Sequence, residues 1–145
     1  MAGVEVSHII FFMAAVIMSI SVVGIIGANV QDVTSASSGS ARLLSNQLET
    51  DVTIINDPDE IPADRIFYVK NIGSLALDGN LTDVIIDGRY QSSSEFNITV
   101  IGRSDLIWEQ TDVLNITLDT SISSGDHTIR VITQNGVSDE MDFNI

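Results

Sequence analysis

Chemistry that needs a nucleophile, a general base or a metal has few residues to draw on in this chain. There is no cysteine, and the two histidines, His8 and His127, stand far apart. Thiolate chemistry and disulfides are thereby excluded, and little is left for a zinc site or a Ser/His dyad. Hydroxyl, carboxylate and imidazole do meet at Ser124-Gly125-Asp126-His127. Adjacency on a turn does not align them as a triad, and no G-x-S-x-G elbow is present. Asp57, Asp59 and Glu60 offer the hard oxygen ligands that calcium prefers, but without the spacing or the glycine of an EF-hand loop, so a solvated loop is expected. No residues are assigned catalytic, cofactor-binding or metal-ligating roles, and no cofactor is called for. The chemistry that remains is modification. N-x-[ST] sequons occur at Asn80, Asn97 and Asn115. Asn97 and Asn115 fall on the polar positions of alternating segments, where an exported domain has room for sugar.

Charge narrows the function classes further. Acids outnumber Lys and Arg by 20 to 6, for a net charge of −14 and a pI of about 4.1. No basic footprint exists for neutralising phosphates, so a nucleic-acid partner is excluded. Seventeen of the acids and five of the basic residues lie after residue 50, a net of −12. Abundant Asp with almost no Lys keeps such a surface solvated where salt screens charge.

The acidic part is positioned by something of opposite character. Residues 6–31 carry no formal charge, and Ile9 to Ile26 is almost wholly apolar. As a helix the uncharged stretch is roughly 39 Å long, enough to cross a bilayer with some tilt. A helix apolar all round belongs in lipid or in a large core, and this chain is small. No Lys or Arg precedes the run and it exceeds the apolar region of a secretory signal, so it is expected to remain as an anchor. Ala14, Ser21, Gly24 and Ala28 share one helical face, where a neighbouring helix could approach closely. Glu5 is expected in the headgroup region or paired with the terminal amine of a neighbouring subunit. With Arg42 the first basic residue, the positive-inside rule gives no orientation.

The connector Gln31 to Arg42 has a linker composition, yet Val30, Val33, Ala36, Ser40, Leu43, Leu44 and Leu48 recur at steps of three and four. A helical stalk to about Thr50 is expected, weakest at Gly39, with Pro58 and Pro62 ending helical character. The chain thus divides at 1–50, anchor and stalk, and 51–145, an exported β domain. In the latter the period drops to two. Strands are expected at Asp51–Ile55, Arg65–Asn71 and Asp83–Ile86, with a hairpin turn at Asp87-Gly88 leading to Arg89–Gln91. Further strands follow in EFNITVIG, VLNITLD and the two arms about Asn135-Gly136. About seven short strands, each with one face apolar, predict an immunoglobulin-like β-sandwich without the disulfide, with Trp108 as a core plug or edge contact and no helix after residue 51.

Four segments carry a resemblance. MAGVEVSHIIFFMAAVIMSISVVGIIGANV resembles the hydrophobic helix of archaeal flagellins. With LLSNQLETDVTIINDP, FYVKNIGS and GDHTIRVITQNG, the chain resembles the accessory proteins of the archaellum, the G-type more than the F-type. The resemblance implies a flagellin-like membrane helix and a sandwich in the pseudoperiplasm outside the cytoplasmic membrane. It also implies a non-enzymatic, stator-like role bridging the archaellum motor to the surface layer. The implied partners are further copies of itself, the F-type accessory protein, the surface-layer protein and the lipid bilayer. The alternative is an archaellin- or pilin-type filament subunit whose N-terminal helices bundle in the fibre core. Such subunits carry a short basic leader before the helix, whereas Met1 here directly precedes it, and the accessory role is expected on that ground.

Overall fold

A computed structural model describes residues 2–62 and 64–145, except for the side chains of residues 2–5; the expectation for Glu5 lies outside the described residues. The chain forms two compact units, 1–42 and 43–145.

The first unit is the greater part of a single helix, α1 (Ala2–Glu49), which is uninterrupted at Gly39. Its described side chains are all exposed, so no protein packing accounts for the apolar stretch. Several of the hydroxyls bond back to the helix's own carbonyls. Ser19 and Ser21 donate to the carbonyls of Ala15 and Ile17 at 2.8 and 2.9 Å, and Thr34, Ser38 and Ser40 donate likewise to Val30, Thr34 and Ala36. This bonding four residues back engages these hydroxyls locally, and the helix runs on through the Ser/Thr-rich connector. The unit boundary falls within α1, at Arg42/Leu43, so the last turns of the helix belong to the second unit.

The second unit adds strands β1 (Val52–Ile54), β2 (Ile66–Asn71), β3 (Leu77–Asp78), β4 (Asp83–Ile86), β5 (Arg89–Gln91), β6 (Phe96–Val100), β7 (Ile107–Trp108), β8 (Val113–Leu118), β9 (Asp126–Ile132) and β10 (Ser138–Asn144). Two antiparallel sheets, β1-β2-β8-β6 and β10-β9-β4-β5, pack face to face, and β3-β7 forms a small ribbon. This order is that of an immunoglobulin-like sandwich, A-B-E-D opposite G-F-C-C′. The alternation seen in the sequence becomes alternation in burial. Along β8, Leu114, Ile116 and Leu118 face the core while Val113, Asn115 and Thr117 face outward. Phe67 and Phe143 meet edge to face across the sheets, ring centroids 5.0 Å apart. Trp108 is fully buried, a core plug.

The expectation of no helix after residue 51 is corrected by one 3₁₀ turn, Gly79–Leu81. Asp78 caps it, its carboxylate accepting from the Asn80 amide at 2.9 Å, which is the local capping chemistry of Asp before Gly-Asn. The Asp87-Gly88 turn is as expected, with both residues at positive φ (51° and 77°) in the manner of a primed hairpin turn.

Candidate functional site

On α1, Ala14, Ser21, Gly24 and Ala28 are exposed, and a Cβ built on Gly24 meets nothing within 4 Å. The small-residue face is open. Bulky side chains cover much of the remainder, with Phe11 81% exposed. An 18-residue window of the helix has a mean hydropathy of 2.8 and is long and apolar enough to cross a membrane.

In the second unit, the end of α1 is held against the sandwich by a polar junction. The Glu49 carbonyl accepts from the amides of Ser74 and Leu75 at 2.9 and 3.2 Å, and the Asp51 carbonyl from Ile72 and Gly73, both at 2.9 Å. The carbonyl of the last helical residue, and that of Asp51 just beyond it, are thus taken up by the turn after β2. Thr50 Oγ1 donates to the Asn46 carbonyl at 2.6 Å and accepts from Asn135 Nδ2 at 2.8 Å. Gln47 Nε2 donates to the Asn135 carbonyl at 3.1 Å. Asn71 organises the receiving turn. It is fully buried, its Nδ2 donates to the carbonyls of Leu75 (2.8 Å) and Trp108 (3.1 Å), and its Oδ1 accepts from the Gly73 amide at 3.0 Å.

None of these junction residues was singled out by chemistry-directed reading of the sequence. Asn135 reads as a hairpin residue and Gly73 as loop. Yet FYVKNIGS contains Asn71, Gly73 and Ser74, and VITQNG contains Asn135. With Gln47, Glu49 and Asp51 from LLSNQLETDVTIINDP, three of the segments that carry the resemblance therefore meet here, and a polar, glycine-bearing motif directly after a strand is the available signal.

The sandwich treats its edges unequally. Where β1 and β10 adjoin, Asp139 Oδ2 accepts from the Ile54 amide at 2.8 Å, and an inward-pointing carboxylate on an edge strand guards it against pairing with another chain. The β5 and β6 edges have no strand beyond them. The two outer faces also differ. On the β2-β8-β6 face, Tyr68, Asn115 and Thr99 form one cross-strand row and Ile66, Thr117 and Asn97 the next; no carboxylate occurs at the outward positions of these strands. On the opposite face the outward positions include Asp83, Glu140 and Asp142, against Arg130, which pairs with Glu140.

The Ser124–His127 segment does not assemble a triad. His127 Nδ1 lies 2.7 Å from Asp87 Oδ2 and Nε2 lies 2.9 Å from the Ser123 carbonyl; Asp126 accepts from Asn144 Nδ2 at 2.6 Å. Both partners of the ring are acceptors, so both ring nitrogens donate only as imidazolium. The groove of about 490 Å³ beside it is lined by Asp59, Asp87, Asp126 and Asp142 among others, and three of these carboxylates are engaged internally, by His127 and Thr128, by Asn144, and by Thr128 Oγ1 at 2.6 Å. Among the described residues no group of three or more His, Asp or Glu is placed to hold a metal ion.

The hydrogen bond to Asp87, then that to Ser123, raise the His127 pKa above its ordinary 6.5. The Thr128 amide, then His127, lower that of Asp87 below 3.8. The histidine's contribution to stability is complete below pH 6.5 and is lost as pH rises through the elevated folded value. The aspartate's contribution is present above pH 3.8 and is lost only as pH falls through the depressed one. The contribution of this pair is therefore expected to be complete from about pH 4 to 6.5. In thermal unfolding of the full chain in detergent, the difference between wild type and His127→Ala should shrink from pH 6 to pH 9. Parallel curves over that range would remove the imidazolium from the account.

A family model described as archaeal-type flagellin matches residues 2–143. A putative flagella-related protein G of Methanococcus voltae is 28% identical over 150 residues, spanning 95% of this chain and 95% of that protein. Among solved structures, the archaellum periplasmic stator protein FlaG from Sulfolobus acidocaldarius is similar over 65% of this chain and 99% of that one, with 22% identity and a TM-score of 0.49.

Proposed function

The chain belongs to the archaeal-type flagellin family, and from that premise we propose that it is a membrane-anchored, stator-like component of the archaellum. In this role the uncharged part of α1, residues 6–31, lies in the cytoplasmic membrane and the rest of the helix forms a stalk, residues 51–145 stand in the pseudoperiplasm, and the sandwich links the motor to the surface layer. The family assignment supports a place in the archaellum, and the end-to-end likeness to a protein described as flagella-related protein G supports an accessory part. The role is structural, and no residues are assigned to catalysis. The observation that carries the proposal is a helix long and apolar enough to cross a membrane, its described side chains exposed, in one chain with a β-sandwich whose turn after β2 bonds the Glu49 and Asp51 carbonyls. A part that holds position under load needs a lipid-soluble foot and a head that does not slip on it; hydrogen bonds shielded within a packed turn supply that resistance.

The partners proposed are further copies of the chain, the F-type accessory protein and the surface-layer protein, with the bilayer around α1. The small-residue face of Ala14, Ser21, Gly24 and Ala28 is proposed as the helix–helix contact, because small residues let backbones approach where lipid provides no hydrophobic drive. Crosslinking in intact cells, followed by identification of the attached chains, tests both levels. Capture of surface-layer or F-type protein is the expected result. Capture of flagellin alone, in fibre-like stoichiometry, would favour a filament subunit. In the same experiment Gly24→Leu should lower crosslinks between copies several-fold, and unchanged yields would remove the helix face from the contact.

A further inference from the structure

We propose that Asn97 is the one N-glycan acceptor among the three sequons, and that its sugar covers the free edge of β6. The inference rests on the reading that residues 51–145 are exported, since the donor class required is an oligosaccharide joined through phosphate to a membrane lipid. In the transfer, the C1–O bond between sugar and lipid phosphate breaks, a bond forms between C1 and Asn97 Nδ2, and the amide proton leaves to the released phosphate. An acceptor site must therefore present the Asn amide nitrogen and, two residues on, a hydroxyl that the transferase can read.

Only one of the sequons offers both in the folded chain. Asn80 is exposed, but its Nδ2 is held by Asp78 Oδ1 at 2.9 Å. Its hydroxyl partner Thr82 is 5% exposed, with an Oγ1 buried and without a hydrogen-bond partner. Asn115 lies on β8, a central strand flanked by β2 and β6. Both Asn115 and Thr117 are half-buried, and the Thr117 hydroxyl turns back to donate to Asn115 Oδ1 at 3.3 Å. Asn97 and Thr99 differ on each count. They are exposed, they share the outward face of β6 through the two-residue period of the strand, and the intervening Ile98 packs toward the core. No hydrogen bond engages the Asn97 side-chain amide among the described residues. β6 is an edge strand, and beside Asn97 lies a groove of about 230 Å³ lined by Asn80, Tyr90 and Ser93 among others. That groove has room for the first sugar, and Tyr90, 58% exposed, offers a ring for it to rest on.

The position also gives the sugar a physical task. Asn97 stands on an edge strand, in a sheet whose β2, β8 and β6 strands carry no carboxylate at their outward positions, and Asp83 is the carboxylate that lines the adjoining groove. A neutral, hydrated chain of sugars there blocks pairing of that edge with another strand without adding charge.

Trypsin separates the three sites, because cleavage after Lys70, Arg89, Arg103 and Arg130 places Asn80 in peptide 71–89, Asn97 in 90–103 and Asn115 in 104–130. The full chain purified from its own membranes should carry a carbohydrate mass on 90–103 only. The increment should vanish in Asn97→Gln and Thr99→Ala, persist in Thr99→Ser, and be untouched by Asn80→Gln or Asn115→Gln. External protease added to cells stripped of their surface layer reads export independently. A domain cut from outside with 90–103 bare, or sugar found on either other peptide, would overturn the proposal while leaving the export reading in place. A domain shielded from external protease with 90–103 bare would defeat both.

Discussion

Replacing Gly73 with alanine is expected to lower the melting temperature of the sandwich by roughly 8–20 °C in the detergent-solubilised full chain, the equivalent of about 2–3 kcal/mol of overpacking in a unit of this size. The reason is steric and local. A Cβ at position 73 would stand 2.4 Å from the Glu49 carbonyl oxygen and 2.5 Å from the Asp51 amide nitrogen. Both are backbone atoms, so no side chain can swing aside, and relief comes only by moving the end of α1 or the turn that receives it. Either movement stretches the bonds from Ser74, Leu75 and Gly73 to the Glu49 and Asp51 carbonyls. The same substitution should expose the chain near Thr50, buried in the native fold, to limited proteolysis. A variant with native melting temperature and native protease resistance would show that the junction yields freely, and the account of a head gripped at its base would fail with it.

Asn71→Leu carries the second large effect. The leucine is close in volume, so packing is largely kept while three hydrogen bonds are lost inside a fully buried site. The carbonyls of Leu75 and Trp108 then lose this partner in the interior, while the Gly73 amide keeps its bond to the Asp51 carbonyl. Buried polar groups left in that state cost on the order of 1–3 kcal/mol each, and with partial relaxation a total of about 3 kcal/mol is expected. Urea denaturation should show a lower midpoint at an unchanged slope. Asn71→Asp separates hydrogen bonding from shape. At neutral pH a buried carboxylate keeps the acceptor for the Gly73 amide but faces two carbonyl oxygens without protons to offer, so it should be at least as damaging as leucine. In acid the protonated carboxyl can donate one bond again, and stability relative to Asn71→Leu should recover. If leucine and aspartate variants unfold at the wild-type midpoint, the Asn71 network contributes nothing to holding the receiving turn.

Much of the architecture was legible because its signals are local. The absence of charge from residues 6–31 is a statement about solvent that needs no tertiary contact, and three- and four-residue recurrence continued the helix through a linker-like composition. Alternation in EFNITVIG and VLNITLD placed the apolar residues inward, as the burial of Phe96, Val100, Leu114, Ile116 and Leu118 bears out. The junction was not legible in the same way. Asn135 contacts Thr50 across 85 residues and Gln47 across 88, and a turn signal such as Asn-Gly reports only its own backbone. The single 3₁₀ turn and the two-residue strands β3 and β7 were missed because elements of that length have no periodicity to read.

By itself, then, the chain's order of residues determined an apolar helix, a strongly acidic β domain and the inward face of each main strand, because solvent preference and a period of two or 3.6 are properties of neighbouring residues. Tertiary structure decided which strand is central and which is an edge, and so which of three identical-looking sequons stands free. It also decided that Asn71, Gly73 and Asn135 close on the end of the helix. Those outcomes depend on pairings across many tens of residues, where the partner's geometry, and not the residue's own preference, sets what is buried, bonded or left open.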